Sequence, residues 1–429
     1  MNVVFIGHVD AGKSTISGQI LLSTGKIDKR TIEKYEKEAK EKNRESWYLA
    51  YILDTSEDER ARGKTVECGK ANFETAKKRI TLLDAPGHKS YVPSMIAGAN
   101  QADIGALVIS ARKGEFEAGY DRGGQTLEHI MLAKTLGIQY LFILVNKMDE
   151  STAQWSKDRY DEITKKLTDA LSEYGFKKDQ YQFIPVSGYT GANLKDSANA
   201  KICPWYSGPT FFEALDNLKP LVRYDDRPLR ATVSARFKDR GGLCCVSKVE
   251  SGKVKVDDEV IIIPTMKKAQ VSAISIEDEC DVSEARSGEN VCIILKGAEE
   301  EDCYGGCVIA PANAPGYRSQ MIEAQIMITD LNESIPVLTA GYKCVMHAHA
   351  AVSECTITNL VSELNKKGKE KTKQPTFLNI GAIGIVRIEF DTPLPIEKYV
   401  DFPQLGRFTL RDKGKTIAIG KVMRLKPIA

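Results

Sequence analysis

Gly7-His-Val-Asp-Ala-Gly-Lys-Ser14 follows an apolar run, NVVFI, and has the spacing G-x-x-x-x-G-K-[ST]. Glycines at both ends let successive backbone N–H groups converge on an anion, a lysine adds a point charge, and a hydroxyl at a helix start offers a hard oxygen to a cation. This is chemistry for a polyphosphate. Lys13 is expected to face the β- and γ-phosphates and Ser14 to ligate magnesium, with Val9, Asp10, Ala11, Gly12 and Thr15 completing the cradle. Alone, the stretch could also be a glycine-rich turn with a surface lysine.

Other stretches supply the missing parts. Asp84-Ala-Pro-Gly87 follows ITLL, which puts a carboxylate where it can hold a magnesium-bound water and an N–H of Gly87 toward the γ-phosphate. Thr65, in the polar stretch DTSEDERARGKTVE, is the natural second hydroxyl for the metal, on a segment able to order with a triphosphate and release with a diphosphate. Asn146-Lys147-Met148-Asp149 follows LFILV, and Ser187-Gly188-Tyr189 follows YQFIPV. A carboxylate at Asp149 accepts from N1–H and from the 2-amino group of guanine, and adenine has neither donor. Sites built on such bonds reject the wrong analogue by about 10⁴-fold or more. The expected ligands are GTP and GDP with Mg²⁺, and Asn146, Lys147, Asp149, Ser187, Gly188 and Tyr189 are the expected base-side residues.

The elements that must position these groups are legible as a rhythm. NVVFIG, ITLLDAPG, ADIGALVIS, YLFILVNKMD and YQFIPVSG read as strands with helical stretches between them, such as Arg159 to Tyr174. Every motif stands at the carboxyl end of a strand, where open α/β sheets bind ligands. This predicts a parallel sheet covered on both faces. Near Asp225, Asp226 and Pro228 the rhythm changes to short β-branched segments with turn residues between them, and PANAPG at 311–316 suggests a second boundary. The expectation is an α/β domain over 1–222 followed by all-β barrels over 223–313 and 314–429.

Composition bounds the class. With 429 residues, 42% hydrophobic and 28% charged, the chain can bury several cores, and a formal charge of +2 argues against a global polyanion binder. No apolar stretch approaches the roughly 20 residues of a membrane span, and MNVVFIG lacks the features of a signal peptide. A cytoplasmic protein that does not engage membranes is expected. Ten scattered cysteines read as reduced thiols rather than a disulfide framework.

GHVDAGKST, ERARGKTVE, DAPGH and NKMD, in this order ahead of two all-β segments, resemble the translational GTPases of the elongation factor Tu and 1A type. The resemblance implies a P-loop GTPase domain followed by two β-barrels. It also implies ribosome-stimulated GTP hydrolysis in which His88 orients the attacking water when the sarcin-ricin loop of ribosomal RNA presses it into place. Val9 and Lys64 stand where the family has an apolar gate, and the usual QTREH reads QTLEH here, with Leu127 in place of arginine. GKTVE, SARKGEFEAG, CPWYSG and GRFTLRD resemble the class-2 release-factor branch. That branch implies a class-1 polypeptide-chain release factor as partner, held by the barrels, and a free monomer. Because the chain begins one residue before its first strand, contact with poly(A)-binding protein is not expected. A ribosome-rescue relative and an aminoacyl-tRNA carrier of the 1A type are the alternatives.

Three signals carry less. His347 and His349 alternate in CVMHAHA and would share one strand face, a pattern read as structural for want of a third metal ligand. Cys303 and Cys307 likewise lack a second pair. KKGKEKTK, at 366–373, reads as a solvated hairpin with ribosomal RNA or an acidic partner as the other reading. A nucleotide-independent adaptor with a relic core is the rival from another class. Relics commonly lose the lysine, the hydroxyls or the catalytic residue, and Lys13, Ser14, Thr65, Asp84, His88, Asn146 and Asp149 are all kept.

Overall fold

The computed structural model describes residues 1–41, 47–53, 65, 68–121, 124–198, 201–276, 280–332, 335–365 and 368–428. Two compact units divide the chain, Met1–Leu221 and Val222–Ala429.

In the first unit, apolar runs form β1 (Asn2–Ile6), β3 (Arg79–Asp84), β4 (Ile104–Ser110), β5 (Tyr140–Asn146) and β6 (Tyr181–Pro185), all parallel in the order β3-β1-β4-β5-β6, and they are buried almost throughout except in β6, where Tyr181, Gln182 and Phe183 are half-buried. Strands covered on both faces need such continuous apolar sequence. β2 (Gly69–Glu74) adds an antiparallel edge, pairing Gly69 with Asp84 and Glu74 with Arg79. It was not anticipated, because only Phe73 in GKANFE is buried and a half-exposed edge strand lacks the apolar run. The helix expected from Arg159 runs Lys157–Glu173, capped by Ser156, and buries Arg159, Ile163, Leu167, Ala170 and Leu171 on one stripe. A reciprocal cap of Thr210 and Glu213 starts the helix Phe211–Asn217, which lays Phe211 edge-on against Phe5 and Phe142 at 6.0 and 5.5 Å.

The second unit holds two antiparallel rings. Glu259–Ile263 pairs with both Lys267–Ile276 and Val308–Pro311, closing a ring that continues through Arg230–Asp239, Gly242–Ser251 and Asn290–Lys296. Tyr342–Ala348 pairs with both Ala351–Leu364 and Arg407–Asp412, closing a second ring through Lys415–Pro427, Arg318–Ile328 and Ile383–Pro395. Alternation does the sorting: in Arg318–Ile328 the buried positions include Ile322, Ala324, Ile326 and Ile328. Closure leaves the ring strands without open edges. The nine described free cysteines are buried except for Cys68, which is half-buried.

Arg230 and Glu397 join the two barrels by a buried ion pair, Nε to Oε1 at 3.0 Å, with side chains 5% and 3% exposed. Burial pushes the Glu397 carboxyl up against the opposing pull of Arg230. Arg230 also donates to the Leu229 and Ala314 carbonyls at 2.8 and 3.1 Å. His347 and His349 do not share a strand: the strand ends at Ala348, and His349 sits in the turn with φ 41°. There its Nε2 lies 2.9 Å from the Pro395 carbonyl oxygen. Burial pushes both imidazoles down to about 4, with Arg411 adding to the effect at His347.

Two outcomes follow from these buried charges. Arg230→Met should cost about 3–5 kcal/mol in guanidinium unfolding, whereas Arg230→Met with Glu397→Leu should recover most of the loss; additive losses would contradict the pairing. The histidines stay neutral in the fold but protonate near 6.5 when unfolded. Stability is therefore full above pH 6.5 and should fall by about 1–3 kcal/mol per histidine as pH drops toward 4. Melts across this range should flatten in His347→Gln/His349→Asn.

Candidate nucleotide site

β1 delivers the glycine-rich loop to the carboxyl edge of the sheet, and the helix Lys13–Ser23 starts directly behind it. Gly12 takes φ 94°, and a Cβ there would meet Asn146 Nδ2 at 2.3 Å, so only glycine fits. Lys13 is buried, and its ammonium donates to the Gly7 and His8 carbonyls at 3.0 and 2.9 Å, which holds it inside the loop. Gly87 approaches so closely that a Cβ would stand 2.3 Å from Lys13 Nζ. The turn after β3 and the loop after β1 thus meet at the lysine.

Ser14 Oγ and Thr65 Oγ1 lie 3.2 Å apart, and Asp84 is fully buried at the end of β3. Arg62, Gly63 and Lys64 lie outside the described residues. A cavity of about 730 Å³ opens over these groups, and its wall includes Val9, Asp10, Gly12, Lys13, Ser14, Thr15, Thr65, Gly87, His88, Asn146, Lys147, Asp149 and Tyr189. Asp84, Ala11, Ser187 and Gly188 are not on the wall. Ala11 and Gly188 are tied to the wall residue Asn146: its Nδ2 donates to the Ala11 carbonyl at 2.8 Å, and the Gly188 N–H donates to its Oδ1 at 2.8 Å. Ser187 is buried, its hydroxyl accepting from the Thr190 N–H at 3.1 Å.

His88 lines the cavity and also caps the short turn Lys89–Tyr91, its Nδ1 accepting from the Ser90 N–H at 3.3 Å. Its ring stands 5.7 Å from that of Tyr91. Asp149 is exposed, because the chain turns outward after the buried Met148.

Several wall residues were not foreseen, among them Trp47, Ala50, Arg112 and Glu115. Arg112 and Glu115 lie in SARKGEFEAG, read above only for its branch resemblance, and nothing in local spacing marks any of the four as a wall residue. Behind the wall, fully buried His129 accepts the Gly7 N–H through Nδ1 at 2.9 Å, fixing the first peptide of the loop. His8 is half-buried, and burial holds its imidazole below the ordinary value, with Lys13 adding to the effect and a Gln125 hydrogen bond opposing it.

The arrangement offers an anion cradle, a pair of convergent hydroxyls, a buried carboxylate and a separate polar end carrying Asp149. The family of the elongation factor Tu GTP binding domain matches residues 1–221, elongation factor Tu domain 2 matches 242–310, and the GTP-eEF1A C-terminal domain-like family matches 321–423. The eukaryotic peptide chain release factor GTP-binding subunit of Ogataea pini is 48% identical over 426 residues, an alignment covering 99% of this chain and 57% of that protein. Its counterpart in Candida maltosa is 49% identical over 426 residues, covering 99% and 59%. The chain thus spans less than two thirds of the length of these curated relatives. The Ski7 GTPase-like domain of S. cerevisiae, solved bound to GTP, is similar in fold, with a TM-score of 0.78 at 19% identity over 98% of this chain and 96% of that one. By the match over its first 221 residues, this chain belongs to the elongation factor Tu GTP-binding domain family.

Proposed function

We propose that this chain binds GTP and GDP and hydrolyses GTP on the ribosome as the GTP-binding subunit of a translation-termination complex. The observation that carries the nucleotide reading is the convergence on one cavity of Lys13, Ser14, Thr65, Gly87, Asn146 and Asp149, drawn from segments far apart in sequence. The termination reading rests on the release-factor subunits at 48% and 49% identity.

Each residue then has a task. Backbone N–H groups of the 7–14 loop and the Lys13 ammonium would hold the β- and γ-phosphates. The Ser14 and Thr65 hydroxyls, 3.2 Å apart, are hard oxygens of the kind magnesium takes, and Asp84 would reach the ion through a water. Magnesium there would neutralise charge on the phosphate oxygens. Asn146 would keep the base end in register with the phosphate cradle, and Asp149 would accept from N1–H and the 2-amino group of guanine. His88 would position the attacking water. With its Nδ1 accepting from the Ser90 N–H, the water would fall to Nε2. The barrels would hold the class-1 polypeptide-chain release factor, and the sarcin-ricin loop would set His88 in its working position.

His88→Ala should leave GTP binding near that of the unaltered chain while ribosome-stimulated turnover falls by about 10²-fold or more, measured in single-turnover hydrolysis with and without ribosomes. A proportional loss of binding and of both activities would instead assign His88 to its capping bond alone. Asp149→Asn should move preference from guanine toward xanthine nucleotides, because an amide can donate to the xanthine 2-oxo group. Titration with labelled GTP and XTP checks this, and unchanged selectivity would remove Asp149 from the base pocket.

A further inference from the structure

Glu115, the first residue of the helix Glu115–Tyr120, is a cavity-wall carboxylate to which the nucleotide reading gives no task. Its oxygens are shared among three donors. Oε2 accepts from Lys147 Nζ at 2.8 Å and from Ser110 Oγ at 2.7 Å, and Oε1 accepts from Arg112 at 3.1 Å. Burial pushes its carboxyl up, but Lys147, Ser110 and Arg112 outweigh burial and hold it below the usual carboxylate range.

Lys147 is the second residue of Asn146-Lys-Met-Asp149 and lines the same cavity. Its backbone sits at φ 61°, in the left-handed region, and its side chain is 25% exposed. A lysine stem has four rotatable carbons, and a ligand packing on it must order them unless something already has. The ion pair to Glu115 does this by fixing the far end of the stem. Glu115 is itself fixed from below. Ser110 ends β4 opposite Asn146 at the end of β5. Arg159, 5% exposed, donates to the Ala111 and Arg112 carbonyls at 2.9 and 3.4 Å and so braces the loop that presents the carboxylate.

We propose that Glu115 is a positioning residue for the nucleotide base: by holding Lys147 Nζ it presets the lysine stem as a wall of the base pocket, so that binding does not have to order it. The inference rests on the guanine-nucleotide reading above. Preorganisation of this kind acts on affinity through Lys147 and not through direct contact of Glu115 with the base. The two residues must therefore be coupled, and the effect must ignore the 2-amino group, which falls to Asp149.

The test is equilibrium titration of the full chain with GDP and IDP, in Glu115→Ala, Glu115→Gln, Lys147→Ala and the Glu115→Ala/Lys147→Ala double variant, with thermal unfolding measured alongside. Glu115→Ala should weaken GDP and IDP alike by about tenfold, and Lys147→Ala by a similar factor. The double variant should be no weaker than the weaker single. Glu115→Gln keeps an oxygen for Lys147 without the charge and should fall between, which decides the matter if the alanine variant unfolds. Losses that multiply to about a hundredfold in the double variant, or a Glu115→Ala affinity equal to that of the unaltered chain, would overturn the proposal. If the unaltered chain bound neither GDP nor IDP, the nucleotide reading would fall first; normal binding without coupling would remove the positioning role alone.

Discussion

The side-chain amide of Asn146 makes the two hydrogen bonds on which the geometry of the site depends. Its Nδ2 donates to the Ala11 carbonyl and its Oδ1 accepts the Gly188 N–H, both at 2.8 Å. Three strand ends, those of β1, β5 and β6, are thereby held in one register by a single buried residue. Among side-chain amides only glutamine also offers a donor and an acceptor on one planar group, and it would place them a methylene further out. The requirement also explains Gly12, because any Cβ there would occupy the space of the amide. On the nucleotide reading, a phosphate cradle and a base pocket built on separate loops would become one site through this contact.

Around that tie the protein repeatedly fixes polar groups by burying their partners. Lys13 is held by two loop carbonyls, the first loop peptide by His129, and the loop after β4 by Arg159. Each replaces solvent with an oriented dipole, which is how a site avoids reorganisation when charge develops. The second unit uses the same device for a different end. Arg230 and Glu397 are both nearly inaccessible, and such a pair is poor at adding stability but severe on any arrangement that separates its members.

Much of this was legible in the sequence, for a physical reason. Strands buried on both faces must be apolar throughout, so β1, β3, β4 and β5 announce themselves, and the motifs at their ends inherit a position. The barrels were legible from short β-branched segments separated by turn residues. β2 was not, because an edge strand with one buried residue has no such signature. Ala11, Ser187 and Gly188 were read as ligand contacts; that Ala11 and Gly188 also meet Asn146 through the backbone, and that Ser187 bonds within its own turn, has no signature in spacing. Glu115 lies 32 residues from the lysine it holds, and a pair that only tertiary folding brings together leaves no local pattern. His349 shows the limit of periodicity, since the strand that would have aligned it with His347 ends one residue too early.

The central claim is that one preset cavity reads guanine at its Asp149 end while holding phosphates at its Lys13 end. Its most direct test is parallel equilibrium titration of the full chain with GDP and ADP in the presence of magnesium. Both diphosphates offer the same phosphates and ribose, so only the base can separate them. The account predicts that GDP binds about 10⁴-fold more tightly than ADP. Comparable affinities would contradict it, because the phosphate cradle would then be acting without the base pocket that Asn146 is said to hold in register.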